Sequence, residues 1–91
     1  MVRLNFGSMG FQLVTEDKTY EELKYRISVL GDTTIYRNAE GQLHREEGPA
    51  YIEHSGYKAW WINGLRHRED GPAVVYANGR VEYWVNGIRQ E

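Results

Sequence analysis

Two histidines, His44 and His67, are each followed three residues later by a carboxylate, Glu47 and Asp70. Imidazoles and carboxylates at matched positions are the side chains that hold zinc, and equivalent loops stacked side by side would bring them together. Against a metal site, cysteine is absent and no histidine pair has helical ligand spacing. The same residues also serve in turns: the carboxylates accept turn amides, Gly48 and Gly71 supply positive φ before a proline, and each histidine bonds to the next loop. The turn reading is preferred, with no metal and no cofactor expected. Nucleophilic chemistry has no better footing. Ser8 and Ser55 lie in predicted turns outside any nucleophile-elbow pattern, and the carboxylates are too scattered to nominate an acid–base pair. Asn63-Gly64 and Asn86-Gly87 lack the helix and lysine of a phosphate loop. The chain is expected not to be an enzyme.

Binding chemistry is better supplied. Side chains alternate between the faces of a strand. Trp60 and Ile62 therefore share one face with Val81, Tyr83 and Val85, and Tyr57, Ala59 and Trp61 share the other with Arg80, Glu82 and Trp84. The first face is expected to be the core. On the second, Trp61 and Trp84 either form a thin second apolar layer or serve as contact anchors, since exposed tryptophan, tyrosine and arginine dominate protein interfaces. Arg45, Arg66, Arg68 and Arg89 fall in turns that a regular meander lines up along one edge. With the tryptophans they could hold a nucleotide or a single strand, although Glu46, Glu47, Glu69 and Asp70 in the same loops largely cancel their field. The predicted contact residues are Tyr57, Trp61, Arg66, Arg68, Arg80 and Trp84.

The elements that must position them repeat. Gly48-Pro49-Ala50 returns as Gly71-Pro72-Ala73, His44-Arg45-Glu46-Glu47 as His67-Arg68-Glu69-Asp70, Trp61 as Trp84, and Asn63-Gly64 as Asn86-Gly87, each shifted by 23 residues. A fixed period of this size marks a repeat architecture. Each unit reads as strand, turn, strand, turn. Strands are predicted over 50–53 and 73–76, with two-residue turns at Ser55-Gly56 and Asn78-Gly79. Return strands follow over 57–62 and 80–85, and the Asn-Gly turns lead into 65–67 and 88–90. Upstream, alternation over residues 1–14 predicts a hairpin. Thr19 with Glu22 forms a capping box, and Tyr20, Leu23, Ile27 and Leu30 fall on one helical face before Gly31. That pattern predicts a helix over 20–30.

The 91 residues bound one small domain, with 41% apolar residues and twelve aromatics among them to build its core. Net charge is −2 and evenly spread. That gives no electrostatic footing for non-specific binding to nucleic acid or to membrane surfaces. The absence of cysteine and of a signal-like or membrane-length apolar run leads us to expect an intracellular, cytoplasmic protein.

The HREEGPA and HREDGPA cores at 44–50 and 67–73, with an aromatic residue before each Asn-Gly turn, resemble MORN repeats. They are closest to a MORN-like variant found in bacterial, phage and large-DNA-virus proteins. The resemblance covers about residues 34–91. It departs from ordinary MORN units, which have a His-Gly pair where this chain has His44-Arg45 and His67-Arg68. It implies a single-layer β-meander with a binding or scaffolding role. The expected fold is therefore α+β: an antiparallel β-meander of two to three 23-residue hairpin repeats over 34–91, with an N-terminal β-hairpin and one capping α-helix over 1–33. The expected function is non-enzymatic protein binding, as a small phage-type inhibitor of a host or defence protein acting in the host cytoplasm. Homodimerisation through a strand edge is also open. The alternatives are a nucleotide- or single-strand-sequestering protein and a structural repeat of a larger assembly.

Overall fold

The computed structural model describes residues 23–91. Nine strands run in chain order: β1 Arg26–Leu30, β2 Thr33–Arg37, β3 Tyr51–Glu53, β4 Lys58–Ala59, β5 Trp61–Ile62, β6 Leu65–Arg66, β7 Val74–Val75, β8 Val81–Val85 and β9 Ile88–Gln90. All pairings are antiparallel. Seven strands form one sheet in the order β1-β2-β3-β4-β7-β8-β9, and β5 with β6 forms a separate hairpin. The architecture is an antiparallel meander of β-hairpins.

The expected capping helix is not there. Leu23 and Lys24 alone among the described residues have helical backbone, and from Arg26 the chain is extended. β1 pairs with β2 along five residues, from Arg26↔Arg37 to Leu30↔Thr33. The α+β expectation is thus replaced by an all-β fold among the described residues. The physical reason is that Ile27 and Val29 alternate with Arg26 and Ser28, and β-branched residues favour a pleated ladder once a partner strand is available. Gly31, read as a helix stop, has φ +59 and opens a two-residue hairpin turn with Asp32, the position where a type II′ turn requires glycine. The hairpin predicted over 1–14 and positions 20–22 of the predicted helix lie outside the described residues.

β1 and β2 therefore form the opening hairpin of a third unit, so the repeated sheet begins before residue 34. Its turn is one residue shorter than those that follow. In the later units the loops 54–56 and 77–79 each hold three residues rather than the two expected. Glu53 N–H donates to Tyr57 O (2.9 Å) and Tyr76 N–H to Arg80 O (2.8 Å). Gly56 (φ +111) and Gly79 (φ +91) take the left-handed position of a bulged three-residue loop. The Asn-Gly turns are as expected: Asn63 and Asn86 have φ +48 and +52, and Gly64 and Gly87 have +83 and +80, the signs of a type I′ turn.

The return strand of the middle unit breaks at Trp60, which raises the strand number. Trp60 N–H donates to Ala73 O (2.7 Å) and its carbonyl accepts from His67 N–H (3.1 Å), so the chain changes partner there. Ala59 pairs with β3 and β7, and Trp61 pairs with Arg66. The last unit makes the same change within β8, where Val81 and Glu82 pair with β7 while Tyr83 to Val85 pair with β9.

The core is thin. Ala50, Ala59, Ala73 and Val74 are at most 1% exposed, and Ile35 and Tyr25 join them as buried residues. Three of these are alanines, which lets neighbouring loops and strands close to backbone contact: Ala50 N–H donates to Ala59 O and Ala73 N–H to Glu82 O. Ala59 and Val74 are register partners, so they occupy the face opposite to the expected core. Val81 and Tyr83, which were assigned to the core, are 42% and 49% exposed. Alternation sorted the residues into faces correctly, but Ile35, Ala59 and Val74 give the other face a buried layer as well.

Candidate functional site

The repeated loop motif has a local structural use at each position. His44 Nδ1 accepts from Asn63 N–H at 2.9 Å, and His67 Nδ1 accepts from Asn86 N–H at 2.9 Å. Each histidine thereby ties its loop to the Asn-Gly turn of the next unit. Its Nε2 faces Glu46 at 3.6 Å or Glu69 at 3.5 Å. With Nδ1 accepting from a backbone amide, neither ring has that nitrogen available to a metal, and among the described residues no group of three or more histidines and carboxylates is placed to hold one. Next in the motif, the Arg45 guanidinium lies 3.9 Å from the Tyr36 ring centroid and donates to Pro49 O (3.1 Å). Arg68 lies 4.0 Å from Trp60 and donates to Pro72 O (3.0 Å). Gly48 and Gly71 do not have positive φ, contrary to the expectation. They are glycine because a Cβ would stand 3.2 Å from Arg45 Nη1 and 2.8 Å from Arg68 Cζ.

The acidic positions diverge between units. Glu47 accepts from the Tyr25 hydroxyl (2.7 Å), and Lys24 Nζ bridges Glu46 (2.8 Å) and Glu47 (3.1 Å). Tyr25 Oη also accepts from Glu46 N–H (2.9 Å). Burial pushes the Tyr25 hydroxyl above its ordinary pKa. The Lys24 ammonium holds Glu46 below the ordinary carboxylate value. Burial opposes the same shift in Glu47, but the hydrogen bonds from Tyr25 and Lys24 outweigh it and hold that carboxyl low as well. In the next unit Asp70 pairs with Arg68 Nε (3.0 Å) instead.

The opposite side of the sheet carries an aromatic face. Tyr51, Tyr57 and Tyr76 meet edge to face in series, at 5.7 and 5.5 Å between centroids. The Arg80 guanidinium lies 4.5 Å from the Tyr76 ring. Further along, Arg66 sits between two tryptophans, 5.4 Å from Trp61 and 5.0 Å from Trp84. Its Nε is buried and has no hydrogen-bond partner, so this edge of the guanidinium is held by ring contact. Glu82 organises this region. It accepts from Trp84 Nε1 (3.0 Å) and the Tyr76 hydroxyl (3.1 Å), and faces Arg89 Nη2 at 3.9 Å. The indole hydrogen bond, supported by Tyr76 and the charges of Arg89 and Arg66, holds its carboxyl below the ordinary range.

Two clefts open on this face. One of about 240 Å³ is lined by Trp61, Gly64, Leu65, Arg66, Trp84 and Gly87. The other, of about 370 Å³, is lined by Leu43, Tyr51, Glu53, Tyr57 and Trp61. Glu53 accepts from the Tyr51 hydroxyl (3.3 Å) and Ser55 Oγ (3.2 Å), and no described cation pairs with it. Burial and the adjacent Glu53 charge raise the Tyr51 hydroxyl above its ordinary pKa.

Of the six predicted contact residues, Tyr57, Trp61, Arg66, Arg80 and Trp84 lie on this aromatic face. Arg68 does not; it is stacked on Trp60 in the loop groove of the other side, with Pro49, His67 and Asp70. Tyr51, Tyr76, Glu53 and Glu82 were not singled out as site residues. The signal for Tyr51 and Glu53 was present, since they stand on β3 opposite Ala59 and Tyr57, and Tyr76 directly follows β7 with its ring against Tyr57. Comparison with known proteins adds nothing to this geometry: no family model, no curated protein and no solved structure matches the chain.

Proposed function

We propose that this chain is a non-enzymatic binding module that grips another protein through the face bearing Tyr51, Tyr57, Trp61, Tyr76 and Trp84. The observation that carries the reading is the Trp61–Arg66–Trp84 stack. Its rings stand on paired strands and are partly accessible, and Glu82 fixes one of them through its indole N–H. Preorganised aromatic and arginine side chains lose little freedom on binding and make effective anchors. The other side of the sheet exposes Val29, Val81 and Ile88 with one aromatic residue, Tyr83, and the aliphatic types contribute less per contact.

A nucleotide or single-strand ligand would need cations on this face that are open to phosphate. Arg80 and Arg89 are exposed on this face, but Arg66 lies against two rings and the Glu82 carboxylate offsets the charges of Arg66 and Arg89, a mixed field that favours a protein surface over a polyanion. The MORN-like resemblance adds the proposal that the partner is a host or defence protein which the module inhibits in the cytoplasm. The test is affinity capture with the wild-type chain and with Trp61→Ala/Trp84→Ala, alongside thermal melting of both. The reading predicts loss of the captured partner with a melt that stays cooperative. Equal capture by both proteins would refute it, and collapse of the melt would assign the tryptophans to a structural role.

A further inference from the structure

The two aromatic clefts share two repeat-related positions and otherwise have different walls. Shifted by 23 residues, Leu43 becomes Arg66 and Trp61 becomes Trp84. In the second cleft the chain supplies its own guanidinium, Arg66, between the rings and beside Glu82. In the first cleft Leu43 takes the arginine's place and Ala59 the place of Glu82, so neither the cation nor that carboxylate is provided from within. What the first cleft has in exchange is a richer wall: Tyr51, Tyr57 and Trp61, with the Glu53 carboxylate held among them by two hydroxyl donors. Three aromatic rings and a carboxylate without a described counter-ion form an environment suited to an organic cation. Elsewhere in the structure rings of this type carry guanidinium groups: Arg45 on Tyr36, Arg68 on Trp60 and Arg80 on Tyr76.

We propose that the cleft lined by Leu43, Tyr51, Glu53, Tyr57 and Trp61 is a receptor for a guanidinium group, supplied by an arginine side chain of the partner. The proposal rests on the binding role of the aromatic face and adds the chemistry that the face selects. The guanidinium plane stacks on a ring as Arg66 does in the next unit, and its N–H groups meet the Glu53 carboxylate.

The test is a titration of the full chain with N-acetyl-arginine amide, followed by NMR through the indole N–H signals of Trp61 and Trp84. N-acetyl-citrulline amide serves as the neutral isostere. The expected result is a saturable shift of the Trp61 signal with a Kd of about 1–10 mM, as one cation–ring site with one carboxylate provides. Citrulline should bind about tenfold more weakly, and Glu53→Gln should weaken arginine by about fivefold. Leu43→Arg should abolish the response with a cooperative melt retained, because it installs the guanidinium that Arg66 provides in the next unit. Equal binding of citrulline, no shift with arginine, or an unchanged response in Leu43→Arg would overturn the proposal. If arginine amide shifts nothing while Trp61→Ala/Trp84→Ala still loses the captured partner, the cleft proposal falls and the face reading stands. If arginine amide binds as stated while that double variant keeps the partner, the cleft is a guanidinium site whose ligand is a free compound, and the face reading falls.

Discussion

Gly71→Ala should destabilise the protein in the presence of Arg68 and stabilise it in its absence. Gly71 has no positive φ, so alanine meets no left-handed-backbone penalty there. The obstacle is a side chain: the new Cβ would lie 2.8 Å from Arg68 Cζ, 3.0 Å from Nη1 and 3.1 Å from Nε. A flexible guanidinium can retreat, but it then leaves the Trp60 ring and the Pro72 carbonyl. Losing the stack costs about 0.5–1 kcal/mol at a half-exposed site, and losing the bond to Pro72 O costs about 1 kcal/mol more. Against these, replacing glycine recovers about 0.4–1 kcal/mol by restricting the unfolded chain. The net for Gly71→Ala is a loss of about 1 kcal/mol, or roughly 4–8 °C in Tm for a domain of this size. In an Arg68→Ala background only the gain remains, so the coupling in the double-mutant cycle should be about 1.5–2 kcal/mol. Thermal melts and urea titrations of the four proteins measure it. An equal cost with and without Arg68 would refute the claim that this glycine exists to seat the arginine.

His67→Ala should cost about 0.5–1.5 kcal/mol by leaving the Asn86 amide without its acceptor, read as a lower urea midpoint; an unchanged midpoint would remove the inter-unit tie from the account. Acid should destabilise the fold through Glu46 and Glu47. Their folded pKa values lie below the ordinary 4.5, so the stability they add is complete above that value and is lost as pH falls through the lowered folded values. Urea midpoints measured downward from pH 5 should fall, and Lys24→Met should flatten that limb; parallel limbs in both proteins would count against the assignment. At the alkaline end Tyr25, raised above 10.0, adds stability that is complete below its unfolded value and lost as pH climbs through the folded one, so Tyr25→Phe should flatten the fall above pH 10.

How far the sequence could be read varied with the kind of signal. The Asn63-Gly64 and Asn86-Gly87 turns were legible because their chemistry is local: asparagine followed by glycine meets the two positive φ values unaided. The faces of the return strands were legible for the same reason, since alternation needs no partner. Which face is covered depends on packing between strands, and there the small size of Ala59 and Ala73 was the overlooked clue. The stretch Tyr20 to Leu30 satisfies a helical stripe and, from Arg26, an alternating one; only the five-residue ladder with β2 decides between them. Gly48 and Gly71 were misread because a glycine kept for a neighbouring arginine looks the same in sequence as one kept for φ. The Trp61–Arg66–Trp84 stack joins two units, so inspection of one unit at a time separates its members.

If the aromatic face and not the aliphatic one meets the partner, variants of the two faces should behave oppositely. Quantitative affinity capture with face-specific variants tests it most directly, comparing Tyr57→Ala/Trp84→Ala with Tyr83→Ser/Ile88→Ser, whose residues are 49% and 67% exposed on the other side. The first pair should lose the partner and the second retain it, with cooperative melts in both. Retention by the first pair and loss by the second would contradict it.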